Sequence, residues 1–61
     1  MLEYVKTILK KVSFDSQLFE KELRKALNTL LHDELLELKN WCYKHFHEEH
    51  EIILQRCFVS I

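Results

Sequence analysis

Residues 34–58, ELLELKNWCYKHFHEEHEIILQRCF, dominate the fold that the sequence predicts. On a helical wheel of about 100° per residue, their apolar side chains fall on two nearly opposite faces. A helix that is apolar on two sides has to be buried on two sides, and three short helices cannot enclose it. We therefore expect a second subunit to cover the second face. The first face comprises Leu35, Leu38, Trp41, Cys42, Phe46, Ile52, Ile53 and Cys57, and the second comprises Leu36, Tyr43, Leu54, Phe58 and Ile61.

A polar run in the middle of this helix, HEEHE over residues 47–51, leaves a second interpretation open. If the helix breaks there, residues 52–61 form a separate segment that folds back on the rest of the chain. The apolar clusters of that segment do not exclude a strand, but ten residues without a partner strand argue against one. The sequence predicts either a continuous helix over residues 34–58 or a break near residues 47–51.

The start of a second helix is marked by Asp15, whose carboxylate can accept hydrogen bonds from the free amides of the following turn. Phe14 before this cap and Phe19 four residues into the helix have the spacing of a hydrophobic staple. We therefore predict a helix over residues 16–31, with Glu20 and Arg24 as a surface ion pair. Its apolar stripe comprises Phe19, Leu23, Ala26, Leu27 and Leu30.

A first helix over residues 2–12 is predicted by apolar residues at spacings of three and four. Asp33 can cap the third helix, and the short turn before it makes helices two and three antiparallel neighbours. The chain contains no glycine and no proline, which argues against an all-β fold because hairpin turns depend on glycine. The predicted fold is all-α: one small domain, residues 1–61, of three helices, or four if the third breaks. It is built on an antiparallel helical hairpin.

The size and composition of the chain favour completion of this fold by oligomerisation. A domain of 61 residues buries only about 60% of the surface of its unfolded chain, so its stability is marginal. Hydrophobic residues make up 48% of the chain, which leaves apolar surface for another subunit. Residues 1–31 carry six Lys/Arg and four Asp/Glu, whereas residues 32–61 carry three and six. This asymmetry favours head-to-tail or antiparallel association.

The sequence also predicts where the protein resides. Charged residues near the start interrupt the apolar core that a signal peptide needs, and no stretch approaches the ~18 apolar residues of a membrane span. We therefore expect a cytoplasmic protein without a membrane segment. In that compartment the two cysteines, Cys42 and Cys57, stay reduced, and we expect both in the core.

Three of the four histidines lie within residues 45–50, which raises the question of a metal site. The run HEEH over residues 47–50 is not the zinc-protease motif, in which the histidines are four residues apart. Cys42, His45 and Glu49 share one face of a continuous helix and could bind zinc where a two-fold dimer brings two copies together. The main expectation is that the chain binds no metal and no cofactor, with Cys42 in the core and His45 hydrogen-bonded to Glu49.

We predict a non-catalytic protein. Nothing in the sequence marks an oxyanion hole or a third orienting residue, and a chain this short has little room for a substrate cleft beside its core. The predicted function is protein–protein interaction through a helical surface, as a homodimer or with another helical protein. Tryptophan is enriched at interface hot spots. The residues predicted to meet the other chain are Leu36, Trp41, Tyr43, Leu54 and Phe58.

The alternative function is nucleic-acid binding by a small helical regulator through its Lys-rich helices one and two. Dimerisation could gather basic residues into a stripe that recognises phosphate and shape. The net charge of −1 and the glutamates that alternate with these lysines argue against it. The basic residues concerned are Lys6, Lys10, Lys11, Lys21, Arg24, Lys25, Lys39 and Lys44.

Overall fold

A computed structural model of the chain describes residues 1–59, which form three α-helices. These are α1 (Leu2–Val12), α2 (Ser16–Leu27) and α3 (His32–Cys57). The all-α prediction is confirmed, and the described part of the chain contains no strand. Ile61, a member of the predicted second face, lies outside the described residues.

The first helix has the predicted bounds. Leu2, Val5 and Leu9 are buried on its inner side. Glu3 lies in its first turn and two lysines lie in its last turn, so the charges complement the helix dipole at both ends.

The second helix begins where the sequence predicts, because Asp15 caps it. The Asp15 carboxylate accepts hydrogen bonds from the amides of Gln17 at 2.9 Å and Leu18 at 3.2 Å. The predicted staple is wrong, since the Phe14 side chain is 81% exposed while Phe19 is fully buried. Phe19 packs against residues of α3 instead, so tertiary contacts rather than the local staple fix this end of α2.

The second helix ends four residues earlier than predicted, at Leu27. The Thr29 hydroxyl donates a hydrogen bond to the Lys25 carbonyl at 2.9 Å and so closes the last turn. Leu31 is extended and precedes the first residue of α3, and its amide donates to the Glu34 carboxylate at 3.0 Å. The predicted cap at Asp33 is therefore wrong, because Asp33 already lies in the first helical turn.

The third helix bends within the predicted region, at His50, whose backbone angles (φ −130°, ψ 28°) are not helical. His50 Nε2 lies 2.8 Å from the Ser13 carbonyl oxygen. A carbonyl only accepts, so Nε2 carries the proton and donates. The imidazole also stacks on Phe19, with ring centroids 4.2 Å apart. The kink thus coincides with a tertiary contact that holds α3 against the α1–α2 turn.

The kink changes which side of α3 is buried. Before it, the fully or largely buried residues are Leu38, Cys42 and Phe46. After it, they are Ile53, Leu54, Cys57 and Phe58. On an uninterrupted wheel the second set is displaced by roughly 90° from the first. Ile52, which the wheel places on the first face, is consequently 71% exposed.

The contacts between helices show how they run. Lys6 on α1 pairs with Glu37 near the start of α3 at 3.6 Å, and Ser13 beyond the end of α1 bonds to the kink, so α1 and α3 run roughly parallel. Glu20 near the start of α2 pairs with Arg56 near the end of α3 at 3.2 Å. Helices α2 and α3 therefore form the predicted antiparallel hairpin.

The three helices enclose one core without help from a second chain. The accessible surface is 4243 Å² for a chain of 7.5 kDa, close to the ~4200 Å² that a compact monomer of this mass exposes. Four apolar residues that follow the kink are covered by the chain's own helices: Ile53, Leu54, Cys57 and Phe58. Within residues 1–59, no helix is both long enough and apolar enough to cross a membrane.

Candidate protein-interaction surface

The structure changes the predicted contact surface on α3. Leu54 is fully buried and Phe58 is 3% exposed, so both belong to the chain's own core and cannot meet another chain as folded here. The physical reason is the kink at His50, which turns the last part of α3 inward. Leu36, Trp41 and Tyr43 remain as candidates.

These three residues do not form one surface. Leu36 is exposed, and Tyr43 is half-buried with its ring 6.4 Å from that of Phe58. Trp41 lies on the other side of α3, beneath the ammonium groups of Lys6 and Lys10 at 5.7 and 5.9 Å from the ring centroid. The long lysine side chains cover the indole, as snorkelling side chains do on apolar surface. The α1–α3 junction is therefore closed.

An open apolar groove lies on the opposite side of α1, between α1 and α2. It encloses about 230 Å³. Its most exposed apolar members are Met1 and Tyr4, at 68% and 64% exposure, and its floor is apolar. The residues that line it are Met1, Tyr4, Val5, Ile8 and Leu9 of the α1 side, and Glu22, Lys25, Ala26 and Thr29 of the α2 side.

This groove was not predicted from the sequence. Ile8 is one of the apolar residues whose spacing predicts α1, but it is only half-buried. Tyr4 and Met1 lie beside Ile8 rather than opposite to it, at spacings of four and seven residues. A wheel of α1 that counted aromatic and sulfur-containing side chains as apolar would have shown a stripe wider than one neighbouring helix can cover.

The charged residues of α1 and α2 are mostly paired. Lys25 pairs with Glu22 at 3.4 Å along the rim of the groove, and Arg24 pairs with Glu20 at 2.7 Å, as predicted. Lys6 pairs with glutamates at 3.3 and 3.6 Å. These contacts neutralise part of the basic set on which nucleic-acid binding depends. Among residues 1–59, Lys10, Lys11 and Lys21 of these helices form no ion pair.

The structure does not bring Cys42, His45 and Glu49 together. Cys42 is fully buried, whereas the other two side chains are exposed. The His45 ring lies 5.0 Å from Trp41, and it packs there rather than bonding to Glu49. Within residues 1–59 no group of three potential ligands is close enough to hold a metal ion. A two-fold zinc site would need the Cys42 sulfur at the surface, but this sulfur lies in the core.

Both cysteines are free thiols in the core, as predicted. Burial raises the pKa of the Cys42 thiol to about 12, and the neighbouring Cys57 adds to this effect. Burial also raises the pKa of Cys57, although Arg24 and Arg56 oppose it. A thiol with so high a pKa stays protonated near neutral pH and is a poor nucleophile.

Comparison with known proteins adds nothing to this geometry, because no protein-family model, curated protein or solved structure matches the chain.

Proposed function

We propose that this chain is a non-catalytic helical module that binds another protein chain, and that its partner is a second copy of itself. The observation that carries the proposal is the open apolar groove between α1 and α2. On a compact domain, a contiguous apolar patch is typical of a binding surface.

The chemistry of the groove supports a protein partner over a small molecule. Its volume of about 230 Å³ is below the ~300–1,000 Å³ of most ligand pockets. Tyrosine and methionine, which are enriched at protein interfaces, form its exposed members. The groove also lies between two packed helices, so it is largely pre-formed before a partner arrives.

The state of the cysteines supports a non-catalytic role and a reducing compartment. The only two thiols are buried and protonated, so neither is available as a nucleophile. Neither thiol forms a disulfide. Thiols in the cytoplasm are usually reduced in this way. We therefore include a cytoplasmic location in the proposal.

The test is the molar mass in solution, measured by light scattering between about 1 μM and 1 mM protein, the range of weak self-association. The proposal expects a mass that rises from that of the 7.5 kDa chain towards twice that value. The melting temperature should rise with protein concentration, because dimerisation stabilises the folded state by mass action. A constant monomer mass together with a constant melting temperature would exclude the homodimer.

A further inference from the structure

We infer that the turn between α1 and α2 carries a second binding surface, which attaches the chain to membranes that contain anionic lipids. This surface, here called the turn patch, consists of two exposed apolar side chains and two lysines. None of the four lines the α1–α2 groove, so the patch serves a different partner from the one proposed above and does not depend on dimerisation. Its members are Lys11, Phe14, Leu18 and Lys21.

Phe14 is the member of the patch that packing within the chain leaves unused. Its side chain is 81% exposed at the turn, because its expected staple partner, Phe19, is buried against α3 instead. Leu18, four residues further along the chain, is 39% exposed. The start of α2 therefore presents an aromatic and an aliphatic side chain to solvent. Side chains of this kind enter the boundary between headgroups and acyl chains when a protein binds the surface of a bilayer.

The lysines of the turn patch are free to meet lipid headgroups. Lys11 and Lys21 are exposed, and neither forms an ion pair among residues 1–59. The acidic side chains near them in the chain are already engaged. Asp15 accepts two amide hydrogen bonds as the cap of α2, while Glu20 and Glu22 pair with basic residues of α2 and α3. The cytoplasmic leaflet of cell membranes carries anionic lipids, which attract lysines near its surface.

Both lysines face away from the core of the chain. On a wheel of about 100° per residue, Lys21 lies about 160° from the buried Leu23. Lys11 lies at the same angle from the buried Leu9 on α1. Because α1 and α2 are joined by the short turn that carries Phe14, the long lysine side chains can reach one flat surface beside it.

The acidic residues of α3 that are nearest to the turn lie on the other side of α2. Glu48, Glu49 and Glu51 line a cleft at the kink of α3, together with Ser16 of α2. On the wheel of α2, Ser16 lies about 160° from Leu18. The turn patch therefore faces away from these carboxylates, which would repel an anionic lipid surface.

The composition of the patch favours a lipid surface over nucleic acid. Proteins that bind single-stranded nucleic acid stack bases on aromatic rings or arginine side chains, whereas this patch has one aromatic residue and no arginine. Two lysines also neutralise few phosphates, so they supply little of the counterion release that drives nucleic-acid binding. We expect attachment to membranes to be weak and reversible, because the patch has only two apolar and two basic members.

The experiment measures binding of the full chain to vesicles by co-sedimentation. One set of vesicles consists of phosphatidylcholine alone, and the other contains about 30% phosphatidylserine as a model of the anionic leaflet. We expect binding to the second set and none to the first, because the anionic headgroups attract the lysines. Equal binding to both sets, or no binding to either at millimolar lipid, would overturn the inference.

A matched pair of substitutions tests the apolar part of the patch. Phe14→Ser should weaken binding by ~10-fold or more, the loss expected when a phenylalanine no longer leaves water. Ile52→Ser removes a side chain that is 71% exposed beside the acidic cleft of α3. It should change binding by less than about twofold, because Ile52 stays in water whether or not the chain is bound. Equal losses in the two variants would overturn the location of the site.

A second set of substitutions tests the basic part. Lys11→Gln and Lys21→Gln should each weaken binding by about fivefold, the contribution of one lysine near an anionic surface. The control is Lys44→Gln on α3, because Lys44 is exposed and unpaired in the described part of the chain. An equal loss in this control would mean that only net charge matters and would overturn the patch. The lysine variants also decide the question if circular dichroism shows that Phe14→Ser fails to fold.

Two further outcomes would assign these residues differently. Loss of vesicle binding in Tyr4→Ser but not in Phe14→Ser would move the membrane contact to the α1–α2 groove and overturn the turn patch. Binding to a single-stranded DNA oligonucleotide without binding to vesicles would assign the lysines to nucleic acid and overturn the lipid surface. The molar mass in solution is measured separately, so the homodimer and the turn patch can each fail alone.

Discussion

Leu36 and Leu54 lie five helical turns apart on α3, so a straight helix would point both side chains in the same direction. The structure buries Leu54 completely and leaves Leu36 exposed. The sequence wheel placed both on one predicted contact face, which is correct only for an uninterrupted helix. The difference shows that one non-helical residue, His50, divides α3 into two halves with different buried sides.

This division explains how a chain of 61 residues covers so apolar a helix. The first half presents Leu38, Cys42 and Phe46 to α1 and α2, and the second half presents Leu54 and Phe58. A straight α3 would leave one of these sets in water. At about 25 cal/mol per Å² of apolar surface, each buried leucine contributes about 2 kcal/mol relative to exposure. The kink therefore buries part of the apolar surface that we expected a second subunit to cover.

The largest expected effect is on the free energy of unfolding, which leucine-to-alanine substitutions in the two halves of α3 should change by different amounts. Leu54→Ala should lower the free energy of unfolding by about 2–5 kcal/mol, because it removes a fully buried side chain and leaves a cavity. Leu36→Ala should change it by less than about 0.5 kcal/mol, as exposed positions do. Urea denaturation followed by circular dichroism measures both at one protein concentration well below the dimer Kd.

Equal losses of unfolding free energy in the two variants would contradict the difference between the two halves of α3. They would mean that α3 is straight in solution and that Leu36 and Leu54 share one environment. The concentration must be held fixed, because dimerisation adds stability that depends on it.

Much of the fold follows from local signals in the sequence. The bounds of α1 and the start of α2 were predicted because apolar spacing and the Asp15 cap act within one or two turns. The loss of the Phe14 staple was not predicted, because non-local packing of Phe19 against α3 outweighs the local preference. Local patterns contain no information about which distant residue a side chain will meet.

The candidate surface was less predictable than the fold. The break within residues 47–51 was visible as a polar run, but its consequence for Leu54 depends on the angle of the kink at His50, where the imidazole contacts the Ser13 carbonyl. Of the five residues predicted to meet another chain, Leu36 is exposed and Trp41 and Tyr43 are half-buried. The other two are buried in the chain's own core. The groove formed by α1 and α2 depends on how closely two helices approach, and a single helical wheel does not describe this.

The second prediction concerns the origin of the kink. His50→Ala removes a buried hydrogen bond to the Ser13 carbonyl and a ring stacked on Phe19. We expect the free energy of unfolding to fall by about 2 kcal/mol, the sum of one buried hydrogen bond and one aromatic contact. The matched control is His47→Ala, because His47 lies on the same helix and is exposed. It should change stability by less than about 0.5 kcal/mol.

A further measurement tells whether His50 causes the kink or only occupies it. In a double-mutant cycle, His50→Ala and Leu54→Ala should be non-additive, because a straightened α3 removes Leu54 from the core before the second substitution is made. Strict additivity would show that the bend persists without the imidazole. The like-charged glutamates at residues 48, 49 and 51 would then be the remaining local cause.

The smallest expected effect is the loss of stability at alkaline pH that arises from the buried thiols, Cys42 in the first half of α3 and Cys57 in the second. The pKa of Cys42 in the folded chain is about 12, against an ordinary value of 9.0. Between these values the unfolded chain loses a proton that the folded chain keeps, so stability falls as the pH rises above about 9. At pH 10 the loss due to Cys42 should be about 1 kcal/mol. Cys57 should contribute less, since Arg24 and Arg56 oppose the rise of its pKa.

The measurement is the change in unfolding free energy between pH 8 and pH 10 for the unaltered chain, Cys42→Ala and Cys57→Ala. All other side chains are the same in the three proteins, so their contributions cancel when the changes are subtracted. Cys42→Ala should reduce the alkaline loss more than Cys57→Ala does. The reverse order would show that the first half of α3 is the more hydrated of the two, because only access to water would let the Cys42 thiol ionise first.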